Sequence, residues 1–279
     1  LNSAILSAIS AHPLCPPGFE ERLQQVMPKM LAHIDSFRDL VEKNKDLFSK
    51  ATLKIYQKHF REWLISILNE FPQGEAKIEL SLDTGELIRL HAELTDNHLH
   101  LDFSGTSASK RVCLTDGATF GACVGALSAF LQKNLPINSG IFSCVNVSAP
   151  LGSLLNSKYP SPTFKGMTDG TSLVASAVLM ALSKIIPTHQ MSMSVFSPTM
   201  ISFEFNSNTS FFDPIYGGSG ASSSSNGTDS VQYWVRNNLQ PSVEEIERLY
   251  PLIFRQIRIR QGSGGKGQYR GGHGLTKVF

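Results

Sequence analysis

Residues 118–131 limit the possible folds of this chain more than any other segment, because they are almost entirely apolar and rich in small side chains. The small residues are Ala118, Gly121, Ala122, Gly125, Ala126 and Ala129. On a helix, small side chains allow another backbone to approach closely, so the segment predicts a buried helix. A second apolar segment, residues 172–186, ends at Pro187, which cannot continue a helix. We therefore expect two buried helices rich in glycine, alanine or other apolar residues.

Three short strands are predicted ahead of the first buried helix. Residues 76–82, 86–94 and 97–103 alternate apolar and polar side chains, and turn residues separate them. This period of two is typical of strands with one buried face. Further strands are predicted at residues 142–148, as a pair within 190–217, and at 252–260.

The N-terminal quarter of the chain has a different pattern. Residues 1–19 end in a proline-rich stretch and predict an irregular lead-in. From residue 19 to residue 71, apolar side chains recur every three or four positions, which indicates helices with a break at 44–49. We predict an α+β fold, with a helical layer in residues 1–75. A mixed or antiparallel sheet with buried glycine- and alanine-rich helices is expected in residues 76–279.

Composition narrows the classes of function. The chain has 279 residues and a formal net charge of +2, too small to argue for nucleic acid or an acidic membrane surface. No apolar run has the length of about 18 residues that a membrane span needs. Four cysteines form no CxxC pair, so structural thiols in the reducing cytoplasm are expected. The start lacks both a methionine and a basic segment, which argues against a secretory signal and indicates a fragment or processed chain.

Polar residues after the third predicted strand are the first candidate for catalysis. Asp102 is followed by Ser104 and Thr106 in a tight turn. A carboxylate there can orient water or accept a proton, and the hydroxyls can hold an anion. The alternative is structural, with Asp102 capping the turn.

Two further candidates precede predicted helices. Asp169 and Thr171 stand before the second buried helix, where unpaired N–H groups would attract an anion, although an N-cap is the simpler explanation. Arg236 and Asn237 precede a short helix near residue 243. Arg236 can clamp a carboxylate or phosphate, or else form a salt bridge with a helix glutamate.

His98 and His100 share one face of the third strand with Asp102, and this spacing offers a weak candidate metal site. The opposite face carries leucines, so a solvated surface is the simpler explanation. Gly218 and Gly220 lie in a glycine-rich loop that can bring backbone close to a ligand or a partner protein. An Arg-Gly-Gly sequence near the C-terminus is too short to predict RNA binding.

Seven segments in order resemble the hydantoinase B/oxoprolinase family. They are LDFSGTS at 101–107, LPINSGIF at 135–142, APLGSLLN at 149–156, GMTDGTS at 166–172, GGSGA at 217–221, RNNLQPSVEEIERLYPL at 236–252 and SGGKGQYRGGHG at 263–274. The family includes the B-type components of N-methylhydantoinases, the C-terminal half of 5-oxoprolinase, and the α-type components of acetone and acetophenone carboxylases. The resemblance adds Asn138, in the second segment, to the candidate substrate-binding residues.

The resemblance implies ATP-dependent opening of a cyclic amide, or carboxylation of a ketone. It places ATP on a companion A-type ATPase, and this chain has no P-loop sequence of its own. It also implies a divalent metal, which the family associates with His- and Asp-containing motifs in an N-terminal third that has no counterpart here. The chain therefore resembles the middle of the family, truncated at both ends.

The resemblance predicts a B-type component that opens a small cyclic amide of the 5-oxoproline or hydantoin type, together with an A-type (hydantoinase A-like) ATPase partner. Two alternatives stay open. One is a truncated, catalytically silent family member that binds a partner protein, and the other is a fragment of the α-type component of a ketone carboxylase. No membrane and no nucleic acid partner is expected.

Overall fold

The computed structural model describes residues 3–13, 15–133, 135, 138–195, 199–206, 209–233 and 240–279. The chain divides into two units, Leu1–His59 and Phe60–Phe279. The domain boundary predicted near residue 75 stays a prediction.

The first unit is helical. It contains α1 (Ser3–Ser10), α2 (Phe19–Lys43) and the beginning of α3 (Lys50–Leu68). The predicted break between the two long helices is confirmed, because the backbone leaves helical geometry at Asn44. The prediction of an irregular lead-in is wrong for residues 3–10, which form α1. The alanine, leucine and isoleucine residues of this segment are compatible with a helix, and the prolines come only after it.

The second unit is built around a four-stranded sheet. Its strands are β1 (Gly74–Ser81), β2 (Leu87–Leu94), β3 (Leu99–Asp102) and β4 (Val145–Ser148), in that spatial order. The first two pairs are antiparallel and β3 pairs with β4 in parallel, so the sheet is mixed, which is one of the two arrangements predicted. The strand predicted at 142–148 begins only at residue 145, because residues 139–143 form a 3₁₀ turn.

Two buried helices cover the sheet, as predicted. They are α4 (Asp116–Leu131), which Thr115 caps by accepting a hydrogen bond from the Ala118 N–H, and α5 (Thr171–Ile185). The α5 helix packs against α4, β1 and β2, and most of its side chains are buried. Each large apolar side chain buried in this way contributes roughly 1.5–3 kcal/mol.

The segment before α5 differs from the expectation. Residues 166–170 form one turn of π-helix that continues directly into α5. The Thr171 N–H already donates a hydrogen bond to the Gly166 carbonyl. The predicted helix start with unpaired N–H groups at Asp169 and Thr171 is therefore wrong, because the helix begins further upstream.

The C-terminal part of the second unit consists of two hairpins and a short helix. The elements are β5 (Thr199–Asn206), β6 (Thr209–Ile215), α6 (Val243–Leu249), β7 (Gln256–Arg260) and β8 (Gly274–Val278). The Lys277 ammonium on β8 contacts the Asp213 carboxylate on β6 at 2.7 Å, and both side chains are almost fully buried. This ion pair anchors the strand into which the last glycine-rich loop leads. No helix among the described residues has the length and apolar character needed to cross a membrane.

Candidate functional site

Three loops of the second unit enclose a cavity of about 360 Å³, here called the glycine-loop cavity. Residues 218–223 form one side and residues 263–272 another, and residues 190–195 close it. The first two loops carry the segments GGSGA and SGGKGQYRGGHG. Two glycine-rich segments that are distant in the sequence therefore meet at one place.

Glycine is required where these loops pack against each other. A Cβ atom on Gly218 would lie 2.0 Å from the Gly272 carbonyl oxygen, and one on Gly220 would lie 1.9 Å from the Ser192 carbonyl oxygen. A Cβ on Gly272 would lie 1.9 Å from the Thr228 carbonyl oxygen. No side chain fits at such distances, so loop packing alone explains glycine at these positions. The predicted role of Gly218 and Gly220 in substrate binding stays a prediction.

A charged network holds the last loop in place. The Arg270 guanidinium donates a 2.7 Å hydrogen bond to the Asp229 carboxylate, and the His273 N–H donates to the same carboxylate at 2.8 Å. The hydrogen bond from Arg270 is the main reason why the pKa of Asp229 falls to about 2. Asp229 is therefore ionised at neutral pH, and Arg270 acts as a support of the loop.

The cavity surface offers a small set of polar groups. The Lys266 ammonium is the cation among its lining residues, and Tyr269 and several serines supply hydroxyls. The Ser219 hydroxyl also accepts a 2.8 Å hydrogen bond from the Thr228 N–H, which fixes its position. The same hydroxyl donates to the Gly220 carbonyl at 3.3 Å, so Lys266 is the group of this lining that is suited to an anionic oxygen.

A second cavity of about 620 Å³ lies on the other side of residues 193–195 and is here called the mixed-charge cavity. Met193 and Val195 line both cavities. The Gly220 N–H donates a 2.9 Å hydrogen bond to the Ser194 hydroxyl, which ties this shared wall to the glycine loop. Asp169 lies in the mixed-charge cavity together with Arg111 and Lys165.

The strand-end candidates form a closed polar arrangement. Asp102 Oδ1 accepts hydrogen bonds from the Ser104 N–H at 3.0 Å, the Ser104 hydroxyl at 2.8 Å and the Ser148 hydroxyl at 2.8 Å. Burial alone would raise the pKa of Asp102, but these hydrogen bonds together lower it. The arrangement joins the ends of β3 and β4 as a turn cap. A catalytic role of Asp102 and Ser104 stays a prediction.

Thr106 connects the turn to β2. Its hydroxyl accepts a 3.1 Å hydrogen bond from the Arg89 N–H and donates a 3.2 Å hydrogen bond to the Arg89 carbonyl. The side chain is buried, and its polar atom is used by the backbone of the sheet edge. Its predicted catalytic role remains untested.

Asn138 and Thr171 occupy other places in the fold. Asn138 Oδ1 accepts a 2.8 Å hydrogen bond from the Gly140 N–H and caps the 3₁₀ turn. Thr171 lines an open groove along the small residues of α4, and its hydroxyl donates to the Met167 carbonyl at 3.0 Å. Neither residue lines the glycine-loop cavity or the mixed-charge cavity.

The two histidines predicted as a weak metal site, His98 and His100, do not form one with the other described residues. The His98 and His100 rings stack with centroids 5.6 Å apart. In the part of the chain that the structure describes, no group of three or more His, Cys, Asp or Glu side chains is placed to hold a metal ion. The described residues thus do not fit the metal that the resemblance implies. Arg236 and Asn237 lie outside the described residues.

The structure thus brings Gly218 and Gly220 together at one cavity and places Asp169 across a shared wall from them. The sequence interpretation did not single out Lys266, Arg111, Lys165 or the Asp229–Arg270 pair. Lys266 and Arg270 stand inside the quoted segment at 263–274, so a charged residue between glycines was an available signal. Nothing local in the sequence joins Arg111 to Lys165.

Comparison with known proteins defines the class of this chain. The family model described as Hydantoinase B/oxoprolinase matches residues 23–279. Because this match covers most of the chain, the chain belongs to the hydantoinase B/oxoprolinase family. The resemblance found in the sequence segments is thereby confirmed.

Several curated relatives are much longer than this chain. The putative B-type component of a D-/L-hydantoinase from Pseudomonas sp. is 28% identical over 209 residues, which cover 72% of this chain and 33% of the relative. A 5-oxoprolinase from Dictyostelium discoideum is 28% identical over 264 residues, 91% of this chain and 20% of the relative. An uncharacterized protein from Methanocaldococcus jannaschii is 29% identical over 194 residues, 69% of this chain and 34% of the relative. The chain spans about a third or less of these relatives.

Two solved structures have the same fold. The ATP-dependent caprolactamase from Pseudomonas jessenii matches with a TM-score of 0.83 and 20% identity, over 98% of this chain and 50% of that one. A nucleotide-free acetone carboxylase matches with a TM-score of 0.63 and 18% identity, over 86% and 36%. These likenesses, with the elements described above, confirm the predicted α+β class.

Proposed function

We propose that this chain is the B-type component of an ATP-dependent amidohydrolase that opens a small cyclic amide of the 5-oxoproline or hydantoin type. It acts with an A-type ATPase partner, which binds the ATP. Membership of the family supports this proposal. So do the names of two relatives, the B-type component of a hydantoinase and a 5-oxoprolinase.

The observation that carries the proposal is the glycine-loop cavity. Two of the segments that resemble the family converge on it through backbone contacts that only glycine permits. The volume of about 360 Å³ lies within the range of roughly 300–1,000 Å³ that is typical of small-molecule sites. A cyclic amide with a five- or six-membered ring is a small molecule of this kind.

The chemistry requires activation of a stable amide. When the ATPase partner transfers a phosphoryl group to the amide oxygen, the carbonyl carbon becomes open to attack by water. The ring C–N bond then breaks, the nitrogen leaves as an amine, and the phosphoryl group leaves as inorganic phosphate. In this chain, the Lys266 ammonium is suited to hold the anionic intermediate. The Asp229–Arg270 pair keeps the loop that carries Lys266 in position. No step is assigned to a metal, because the described residues offer no fitting donor set.

A reconstituted complex tests the proposal. The full chain is combined with an A-type ATPase, and ADP release and ring opening are measured with 5-oxoproline and with hydantoin. We expect turnover only in the complex, and a fall of about ten-fold or more in kcat/KM for Lys266→Ala, because one charge-assisted contact is lost. Lys110→Ala removes another exposed cation away from this cavity and serves as the control.

Partner binding without catalysis is the second candidate, and one surface favours it. Two large apolar side chains beside α4 are exposed. Phe142, which stacks on Phe120 of α4, is 64% exposed, and Met167, which lines the groove along α4, is 58% exposed. Exposed apolar clusters of this kind mark protein interaction sites. A complex that forms tightly but never turns over a cyclic amide would support this candidate over catalysis. The same assay with acetone and bicarbonate tests the ketone carboxylase alternative.

A further inference from the structure

The mixed-charge cavity combines charged groups of both signs with an apolar floor. Arg111 and Lys165 supply two positive charges, and Asp83 and Asp169 supply two negative charges. Val112 and Leu173 form buried parts of the floor. The positive and negative charges of this lining are equal in number. A ligand that carries a charge of one sign would therefore complement only the lining residues of the opposite sign.

From this arrangement we propose that the mixed-charge cavity binds a zwitterionic amino acid, in particular the ring-opened product of a lactam. The assignment of the product rests on the proposed function above. Hydrolysis of a lactam breaks the ring C–N bond, adds the oxygen of water to the carbonyl carbon and leaves the nitrogen as an amine. At neutral pH the product therefore carries a carboxylate and an ammonium on one short chain, whereas the lactam group carries neither.

Each part of such a product has a suitable neighbour in the cavity. Arg111 can receive the carboxylate in a two-point contact, and Lys165 adds a second cation. Asp83 and Asp169 are suited to the ammonium, and the apolar floor to the methylene groups between the charges. The cavity volume of about 620 Å³ also lies within the usual range for small ligands.

The position of the cavity supports a role after ring opening. It shares the wall of Met193 and Val195 with the glycine-loop cavity, and the Ser194 hydroxyl between them is tied to Gly220. A product that leaves the first cavity therefore has a binding place next to it. Opening a hydantoin instead yields a ureido acid without an ammonium, so this cavity favours lactams as the substrate class.

Calorimetric titration of the full chain tests the proposal. The probes are 5-aminopentanoate and glutamate, and the controls are pentanoate, pentylamine and the lactam 2-piperidone. We expect both probes to bind and the three controls to bind at least about ten-fold more weakly, because each lacks one or both charges. If neither probe binds, or if pentanoate binds as tightly as 5-aminopentanoate, the proposal is overturned.

Variants locate the binding. Arg111→Met and Asp169→Asn should each weaken 5-aminopentanoate by about ten-fold or more. Lys110→Met, next to Arg111 but outside this lining, should leave it unchanged. Far-ultraviolet circular dichroism confirms that each variant is folded, and Lys165→Met replaces any variant that is not. Probe binding that none of the folded cavity variants weakens would overturn the assignment.

The binding test of this cavity and the turnover test of the proposed function can fail independently of each other. Amino-acid binding at this cavity in a complex that never opens a cyclic amide would refute the proposed function and leave the site. Turnover of a lactam without amino-acid binding would support the function and remove the site.

Discussion

The sheet with its two covering helices and the glycine-rich loops are held together by different forces. The first region buries apolar side chains such as Leu101 and Leu182, which are 1% and 2% exposed. The loops instead meet through backbone contacts at glycines and through ion pairs such as Asp229–Arg270. Apolar packing tolerates changes in pH and salt, whereas charged contacts do not. The glycine-loop cavity is therefore bounded by a region whose stability depends on pH and salt.

The largest effect is expected at the buried ion pair. Asp213→Ala removes the partner of Lys277 and leaves a buried ammonium without compensation, with a cost of about 3–5 kcal/mol in the free energy of unfolding. Urea denaturation measures it. The double variant Asp213→Leu/Lys277→Met should recover much of this loss. If both variants lose the same stability, then packing of β6 and β8 matters and charge does not.

A core truncation should have an effect of similar or somewhat smaller size. Leu101→Ala deletes a fully buried side chain between the sheet and its covering helices, with an expected loss of about 2–5 kcal/mol. The exposed Leu249→Ala is the matched control and should change the free energy of unfolding little. The loss at Leu101 should not depend on salt. A strong salt dependence there would contradict the division between the two regions.

A methyl group between the loops should have an intermediate effect. In Gly272→Ala, the new Cβ would lie 1.9 Å from the Thr228 carbonyl oxygen, so the two loops must separate, at an expected cost of about 1–3 kcal/mol. Gly265→Ala adds the same methyl group where no heavy atom lies within 4 Å. Thermal unfolding compares the two variants. Equal stability would show that the loops are not packed as described.

The smallest effect is expected for the Asp229–Arg270 pair, which contributes to the dependence of the free energy of unfolding on acid pH. Arg270 lowers the pKa of Asp229 from 3.8 to about 2, so this carboxylate stabilises the fold above pH 4 and loses that contribution as the pH falls from about 4 to about 2. Asp229→Asn should flatten this part of the curve of stability against pH. Denaturant midpoints between pH 2 and pH 6 measure it, with Asp39→Asn as control. An unchanged curve for Asp229→Asn would refute the role of the pair.

Local patterns predicted most of the helices and the sheet. The small apolar residues of α4 and the alternation in β1 to β3 identified elements close to those observed. The π-helical turn before α5 was missed, because Gly166 and Gly170 are typical of loops, although their backbones here continue a helix. The β8 strand was missed because only five residues follow the glycine-rich loop.

The sequence by itself determined the family, the class of fold and the two glycine-rich segments, because these depend on residue order and on the period of apolar side chains. Tertiary structure alone decided which segments meet. It joined Asp213 to Lys277, Asp229 to Arg270, and the charges of the mixed-charge cavity. Such pairings connect positions far apart in the chain, so they arise only when the whole core has packed and no local pattern encodes them.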